Sequence, residues 1–258
     1  GKVSLFRYRL GLSATPERIY DDEGQAFIEK EIGPTIFEFT VEDAIQKGIL
    51  CEFDYTALPY ELTDEDRASI RQAIARHHAR RAAGEAASDE ALYRDIAAVR
   101  KTTRAKIPPF EQHLAEHPHL YERALIFVET REYGEEIQKY LMKAGVVFGT
   151  YYQGADAYRL REFAAGRLQC LVSCHRLSEG IDIQSVRNIV LFASARARLE
   201  TIQRLGRCLR VDPSNPEKRA HVLDFVDLTP NGETGQSADQ ERFDWFTSLS
   251  KVTRAEVL

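Results

Sequence analysis

From Arg123 to Asp227 the sequence alternates short apolar runs with longer amphipathic runs, and this alternation limits the folds that the chain can adopt. The apolar runs have the length and β-branched content of buried strands, whereas the runs between them repeat apolar residues at helical spacing. The predicted strands are RALIFV, VVFGTYY, QCLVSC, RNIVLF and HVLDFVD, and the predicted helices span residues 131–144, 156–165 and 199–209. Strands and helices that alternate in this way form a parallel sheet covered on both faces. The expected fold class is therefore α/β, over about residues 119–228.

The residues outside this region have a less regular pattern. FRYRLGLSATPER predicts a short strand that ends in a turn, and TIFEFT (35–40) predicts a second strand. A short helix over 41–47 ends at Gly48, and ILCEFDYTALPY resumes extended structure. Residues 61–118 are rich in Ala, Arg and Glu and predict inserted helices, with a boundary near Pro108-Pro109. Residues 229–240 predict a loop, and the residues around Trp245 predict a terminal helix that packs on the domain.

Charge and composition exclude several classes of protein. The chain has 35 Lys and Arg against 40 Asp and Glu, a net charge of −5, so any contact with nucleic acid must be local. No apolar run approaches the roughly 18 residues of a membrane span, and the N-terminus lacks the apolar core of a signal peptide. We therefore expect a soluble protein of the cytoplasm, or of the nucleus in a eukaryote. The only methionine is Met142, which predicts that the chain is part of a longer protein.

The four cysteines are too scattered to predict a disulfide framework. Cys170 and Cys174, followed by His175, are the only ones with a spacing that suggests metal ligation. They belong to a predicted strand, however, where residues four apart are separated by about 13 Å. Zinc–sulfur bonds are only about 2.3 Å long, so we expect structural cysteines and no metal site.

The segment QRLGRCLR (203–210) has two distinct helical faces. At about 100° per residue, Gln203, Arg207 and Arg210 lie within an arc of roughly 60°, and Leu205 and Leu209 belong to a separate apolar arc. Two guanidinium groups beside an amide suit a phosphoryl-transfer site, because they neutralise charge that develops on the transferred phosphate. Taken alone, the segment favours a solvated arginine face on an ordinary surface helix.

The loop SCHRLSEGIDIQ (173–184) follows a predicted strand of the parallel sheet. Ligands of such sheets bind at the carboxyl ends of the strands, where Gly180 permits close approach of the backbone and Asp182 accepts ribose hydroxyls. Glu179 precedes them. A glycine turn with solvated acidic residues is the alternative interpretation.

Five segments together resemble the motifs of superfamily 2 helicases in their order and approximate spacing. They are SATP (13–16), ALIFVET (124–130), YYQG (151–154), SCHRLSEGIDI (173–183) and QRLGRCLR (203–210). TIFEFTVEDAIQKGILCEFDY is similar to the connector of XPB-type and restriction-subunit-type DNA helicases. The chain is thus identified as the C-terminal RecA-like motor domain of such an enzyme. Two departures from the family pattern are Ser173, where Thr is usual, and Gln184, where Pro is common.

The resemblance implies a domain order and a set of site residues. Residues 1–18 would end a first RecA-like domain, 19–60 would form the connector and the start of the second motor region, 61–118 would be a helical insertion, 119–228 the second RecA-like domain and 229–258 a loop and terminal helix. The implied roles are catalysis for Arg210, Arg207 and Gln203, with Arg210 as the first choice of arginine finger; nucleotide binding for Gly180, Asp182 and Glu179; nucleic-acid binding for Thr130, Arg131, Gln153, Gly154 and Ser173; and coupling for Ser13 and Thr15. The implied cofactors are ATP and Mg²⁺, and the implied partner is DNA contacted through its backbone.

One part of the ATPase machinery is missing from the sequence. No G-x-x-x-x-G-K-[ST] loop is present to hold the β and γ phosphates. Asp89-Glu90-Ala91-Leu92 has the letters of a metal-binding box but lies in a polar helical block, so we do not assign it that role. We therefore expect an upstream N-terminal RecA-like domain to hold Mg²⁺, and we expect residues 1–258 alone to lack ATPase activity.

Three alternatives remain open at this stage. One is an RNA-directed helicase of the same superfamily, because hydroxyl and phosphate contacts do not exclude RNA. Another is a non-catalytic binding or regulatory module that shares the fold. The helix over residues 67–84 carries five arginines and no acidic residue, which fits either a DNA contact or, because the arginines point in several directions, an ordinary solvated face.

Overall fold

A computed structural model describes residues 6–13, 22–85, 87–152, 158–174, 186–193, 206, 208–227 and 238–255. The described helices are α1 (Asp22–Glu31), α2 (Val41–Gln46), α3 (Asp64–Ala82), α4 (Asp89–Thr102), α5 (Ile107–Glu116), α6 (Arg131–Lys143), α7 (Tyr158–Ala164) and α8 (Ala238–Leu249). The described strands are β1 (Phe53–Tyr60), β2 (Ala124–Val128), β3 (Phe148–Tyr151), β4 (Cys170–Cys174), β5 (Asn188–Leu191) and β6 (Ala220–Asp227). Within these residues no helix is long and apolar enough to cross a membrane.

The strands form one six-stranded sheet in the order β1-β6-β5-β2-β4-β3, and every neighbouring pair is parallel. Successive residues of a strand point to opposite faces, so the core has two layers. Leu125 and Phe127 of β2 pack in the layer that includes Phe163 of α7 and Phe246 of α8. Alternate residues of the same strand pack in the other layer, with α5 and α6. The predicted α/β fold class is confirmed.

Three glycines end helices where the sequence predicts that they should. Gly48, Gly145 and Gly166 have φ values of 63°, 71° and 79°, a backbone conformation that residues with a Cβ rarely adopt. They follow α2, α6 and α7, and the observed helices end within two residues of the predicted limits. The chain reversals that set the β2–α6–β3 and β3–α7–β4 spacing are therefore local properties of the sequence.

The sheet begins earlier in the chain than the sequence indicates. β1 pairs with β6 over its whole length, from Phe53 beside Ala220 to Tyr60 beside Asp227. The sheet thus includes residues outside the range 119–228 that the sequence pattern indicates for the α/β domain. Pro108 and Pro109, where we expect a domain boundary, start α5, where a missing N–H costs nothing. Phe110 of this helix is completely buried in the core.

Two predicted strands are absent. Residues 6–13 and 35–40 are described but form no strand, and Ile36 and Phe37 are 87% and 77% exposed. The side chains of TIFEFT favour a strand, but strand propensity is realised only where a partner supplies the hydrogen-bond ladder. No partner strand lies beside this segment within the described residues. The charged stretch before it instead forms α1, which we did not predict.

Residues 61–118 form helices, as the sequence predicts, and α3 and α4 pack together as a hairpin. Thr63 and Ser88 cap the two helices by accepting hydrogen bonds from the amides of Asp66 and Ala91. Asp89 and Glu90 lie in the exposed first turn of α4, not after a strand. The base of the hairpin is attached to the sheet by ion pairs from Arg100 to Asp227 and from Lys101 to Glu129.

Candidate functional site

Thr130 lies at the carboxyl end of β2 and caps α6. Its side-chain oxygen accepts a hydrogen bond from the amide of Tyr133 at 3.2 Å. The pKa of the Glu132 carboxyl in the first turn is lowered, because its own backbone amide and the Thr130 hydroxyl donate to it. The first amides of a helix have no acceptor within the helix and favour an anion. The Thr130 hydroxyl and the Glu132 carboxylate supply that acceptor within this structure.

Arg131 follows Thr130 and points into solvent. Its guanidinium pairs with Glu135 at 2.9 Å and stays 70% exposed, so the pair does not remove the cation from the surface. The same guanidinium lies 6.0 Å from the centre of the Tyr152 ring, just beyond the end of β3. An exposed pair of this kind is weak, so a nucleic-acid phosphate can compete with Glu135 for Arg131.

Gly134 allows α6 and the end of β3 to approach each other. A Cβ at this position would collide with the hydroxyl of Tyr152 and lie 3.1 Å from Cγ2 of Val128. The Tyr152 hydroxyl in turn accepts a hydrogen bond from Gln138 at 2.9 Å. Sequence analysis did not single out Gly134 or Tyr152. The motif YYQG includes Tyr152, but the contact between α6 and the end of β3 exists only in the folded sheet.

Ser173 is at the carboxyl end of β4, beside Phe127 of β2 and Tyr151 of β3. Its side chain is fully buried, and Oγ donates to the carbonyl oxygen of Tyr151 at 3.0 Å. The neighbouring Cys174 thiol donates to the carbonyl of Glu129 at 2.8 Å. Ser173 therefore joins the ends of β3 and β4 in this structure and does not present its hydroxyl to solvent.

Glu129 and Lys101 are a further pair at this edge that sequence analysis missed. Their side chains are both 18% exposed, and the ammonium lies 3.1 Å from the carboxylate. Glu129 belongs to the segment ALIFVET, which marked the edge, whereas nothing in the sequence relates it to Lys101 of the insertion. The pair places the base of the α3–α4 hairpin beside Thr130.

Arg210 lies elsewhere in the domain. Leu50, just before β1, forms an antiparallel bridge with it, and the amide of Cys51 donates to the carbonyl of Leu209 at 2.7 Å. Its side chain is exposed. Since β1 starts at Phe53, Arg210 is near the amino end of the sheet. The structure thus brings Thr130, Arg131 and Ser173 to one edge and separates them from Arg210.

The remaining predicted site residues are only partly within the described part of the chain. Ser13 is described and exposed, in a segment without regular structure. The other members lie outside the described residues: Thr15, Gln153, Gly154, Glu179, Gly180, Asp182, Gln203 and Arg207. Among the described residues no group of three or more His, Cys, Asp or Glu side chains could hold a metal ion.

Cys170 and Cys174 are at opposite ends of β4, as the sequence predicts for a strand. Both are free thiols, and Cys170 is buried. Burial raises the pKa of the Cys170 thiol to about 12. A thiol protonated at neutral pH is a poor metal ligand, because metals bind the thiolate.

Comparison with known proteins places this domain in a family. Residues 105–212 match the family described as the helicase conserved C-terminal domain. The DNA 3'-5' translocase XPB2 of Sulfurisphaera tokodaii is 23% identical over 240 residues, which cover 85% of this chain and 52% of that protein. A Rad25 protein of Haloarcula marismortui is 30% identical over 212 residues, or 79% of this chain and 29% of the relative. The chain spans about half of the first of these relatives and less of the second.

Among solved structures, S. cerevisiae Dbp5 bound to RNA and ADP BeF3 is similar over 92% of this chain and 49% of that one, with 14% identity and a TM-score of 0.50. At this identity the similarity concerns the fold. It confirms, together with the parallel sheet order, that the α/β domain is RecA-like.

Proposed function

We propose that this chain, which carries a superfamily 2 helicase C-terminal domain, is the second motor domain of an ATP-dependent DNA helicase or translocase. The observation that carries the proposal is the separation of two cationic sites on one rigid sheet. Arg131 stands at the carboxyl edge beside the capped end of α6, and Arg210 stands exposed near the amino end of β1. A motor needs one surface for a nucleic-acid backbone and another for the nucleotide.

The nucleotide would bind between this domain and an upstream RecA-like domain. Arg210, with Arg207 and Gln203, would neutralise charge on the γ phosphate, and Glu179, Gly180 and Asp182 would contact the nucleoside part. An exposed guanidinium on a backbone held by hydrogen bonds fits this role. ATP supplies the phosphoryl group, and Mg²⁺ would be held mainly by the upstream domain. Ser13 and Thr15 would couple the nucleotide state to nucleic-acid binding.

The carboxyl edge would contact one DNA strand. The first amides of α6, the Thr130 hydroxyl and Arg131 can hold a backbone phosphate, and Gln153 and Gly154 would hold the next. The buried hydroxyl of Ser173 fits a role in fixing the ends of β3 and β4 better than direct contact with DNA. Contacts with phosphates alone imply little sequence specificity and strong dependence on salt.

RNA is the second candidate substrate. The favouring observation is the similarity in fold to Dbp5, whose structure contains RNA. DNA is preferred because the relatives that cover most of this chain are named as a DNA translocase and as Rad25. The two candidates differ in which polymer stimulates ATP hydrolysis by the full-length protein, single-stranded DNA or RNA of equal length.

The test of the motor assignment is Arg210→Ala in the full-length protein. Loss of an arginine finger lowers the turnover number by about 10³ to 10⁵. Arg94→Ala is the matched control, because Arg94 is 72% exposed and pairs only weakly with Glu90 on α4. Undiminished ATP hydrolysis by Arg210→Ala would favour a non-catalytic module. Residues 1–258 alone should show negligible ATPase activity.

A further inference from the structure

Lys218 is a buried lysine beside the backbone of Arg210. The side chain is 5% exposed, and Nζ donates to the carbonyl oxygens of Cys208 at 3.0 Å and Arg210 at 2.9 Å. Burial lowers the pKa of the Lys218 ammonium. A buried cation is costly unless it is well hydrogen-bonded, so this lysine has a specific structural task.

The structural role of Lys218 follows from the segment whose carbonyl groups it contacts, residues 208–210. Gly206 and Cys208 are helical and Leu209 is not, so a helical segment ends here. The last carbonyls of a helix lack intrahelical donors, and a cation at that end is favourable. Three consecutive carbonyls are satisfied from outside: those of residues 208 and 210 by Lys218, and that of Leu209 by the amide of Cys51 at 2.7 Å.

Lys218 is itself fixed by the turn that connects it to Arg210. Oδ1 of Asp212 accepts hydrogen bonds from the amide and hydroxyl of Ser214, at 2.9 and 2.6 Å. The amide of Asn215 donates to the carbonyl of Asp212, and the amide of Lys218 donates to the carbonyl of Asn215. Two prolines, at 213 and 216, further restrict this turn. These hydrogen bonds and prolines restrict the backbone that carries Lys218.

We propose that Lys218 is a positioning residue for Arg210, which fixes the backbone from which the exposed guanidinium reaches the nucleotide. The inference rests on the proposed function, because it gives Lys218 a role in turnover only through Arg210. A reacting group displaced by about 1 Å can lose about 100-fold in rate. The backbone of Arg210 is sensitive to loss of Lys218, since this one side chain donates to the carbonyls of both Cys208 and Arg210.

The experiment is a double-mutant cycle in the full-length protein. Lys218→Met, Arg210→Ala and the double variant are compared for ATP turnover with saturating single-stranded DNA. Lys218→Met should lower kcat by about 10- to 100-fold, with KM for ATP within about twofold of the parent. In the Arg210→Ala background the same substitution should change kcat by less than about twofold, because the group that it positions is gone.

Two control variants separate positioning from general destabilisation. Lys143→Met removes a 74% exposed lysine that pairs with Glu111, and it should leave kcat unchanged. Leu114→Ala removes a side chain buried in the other core layer. It should lower the melting temperature and leave kcat per folded molecule unchanged. If Lys218→Met does not fold, Lys218→Gln replaces it in the cycle, because the shorter side chain can reach at most one carbonyl.

The outcomes distinguish this inference from the proposed function. If Arg210→Ala retains full turnover, the motor assignment fails and the role of Lys218 fails with it. If Arg210→Ala loses turnover but Lys218→Met keeps kcat within about twofold of the parent, only the positioning role is overturned. An equal loss from the lysine substitution in both backgrounds also overturns it, since that result indicates a structural role independent of Arg210.

Discussion

The guanidinium of Arg242 donates from Nε to Oδ2 of Asp224 at 2.7 Å, and the two side chains are 6% and 0% exposed. Arg242 also donates to Asp239 at 3.0 Å and to the carbonyl of Phe225 at 3.1 Å. One buried cation thus joins the terminal helix α8 to strand β6. Removal of one partner leaves an uncompensated charge in the core, and that is more costly than the pair itself is stabilising.

Arg242→Met should therefore lower the free energy of unfolding by about 3 to 5 kcal/mol. Urea denaturation of the variant and the parent measures the difference. The matched control is Arg94→Ala, which breaks an exposed pair with Glu90 and should cost about 1 kcal/mol or less. Equal effects of the two substitutions would show that the buried cluster does not stabilise the domain.

Acid should destabilise the domain through His113. The pKa of this imidazole is lowered to about 4, by burial first and then by the neighbouring His117 and His221. The unfolded chain, with a pKa of about 6.5, binds the proton more readily than the folded chain. The stabilising contribution is complete above pH 6.5 and is lost as the pH falls toward 4.

The measurement is the urea midpoint as a function of pH from 7.5 to 4. Other charged groups, including Glu116 and His119, surround His113, so the comparison is with His113→Gln. This variant should have a flatter profile between pH 6.5 and 4 than the parent. The control is His78→Gln, since His78 is exposed on α3. A parallel profile for His113→Gln would contradict the assignment.

Lys106 should produce a trend of the same sign on the alkaline side, with stability rising as the pH rises. It is 2% exposed, and its ammonium donates to the carbonyl of Phe192 at 2.8 Å. Burial lowers the pKa of this lysine to about 8, so above pH 8 the unfolded chain binds more protons than the folded chain. The free energy of unfolding attributable to Lys106 should rise between pH 8 and 10.5.

Lys106→Met tests this trend in denaturation experiments between pH 7.5 and 9.5. The difference in free energy of unfolding between parent and variant isolates Lys106 from the nearby Asp224, Asp227, Asp239 and Arg242, which remain in both proteins. That difference should shift in favour of the parent as the pH rises. A difference that stays constant across the range would mean that the ammonium does not titrate there.

Gly134→Ala should disturb the contact between α6 and the end of β3. The added methyl group would collide with the Tyr152 hydroxyl, and overpacking of this kind costs about 1 to 3 kcal/mol. Tyr152→Phe removes the obstructing oxygen, so the double variant should recover at least half of the loss. Urea denaturation of the parent, the two single variants and the double variant gives the coupling free energy between positions 134 and 152. Strictly additive effects would show that the two groups do not meet.

The local sequence pattern predicted the alternating strands and helices of the domain well. The runs ALIFVET and YYQG lie where a strand ends, and Thr130 caps α6 as predicted. Gly145 and Gly166 end helices because a positive φ suits glycine, and that preference acts within a few residues. Composition and helical spacing likewise predicted helices within residues 61–118, although not their pairing as a hairpin.

Contacts between distant residues could not be predicted in this way. β1 and β6 are separated by about 160 residues, and only the assembled sheet makes them neighbours. TIFEFT has the composition of a strand and remains unpaired, since a ladder needs a partner and not only propensity. The resemblance implied nucleic-acid binding for Ser173, but the register of β3 and β4 directs its hydroxyl to the carbonyl of Tyr151.

The amino-acid sequence by itself thus predicts the α/β fold class, because strands, helices and turns depend on short-range periodicity and turn chemistry, and the order of its motifs resembles that of superfamily 2 helicases. Only the folded chain shows at which end of the sheet each side chain lies and which contacts hold it in position. Arg210 is visible in the sequence, whereas the three carbonyls around it and the lysine that satisfies two of them are not. Burial and long-range pairing create that environment, and neither is encoded within any one segment.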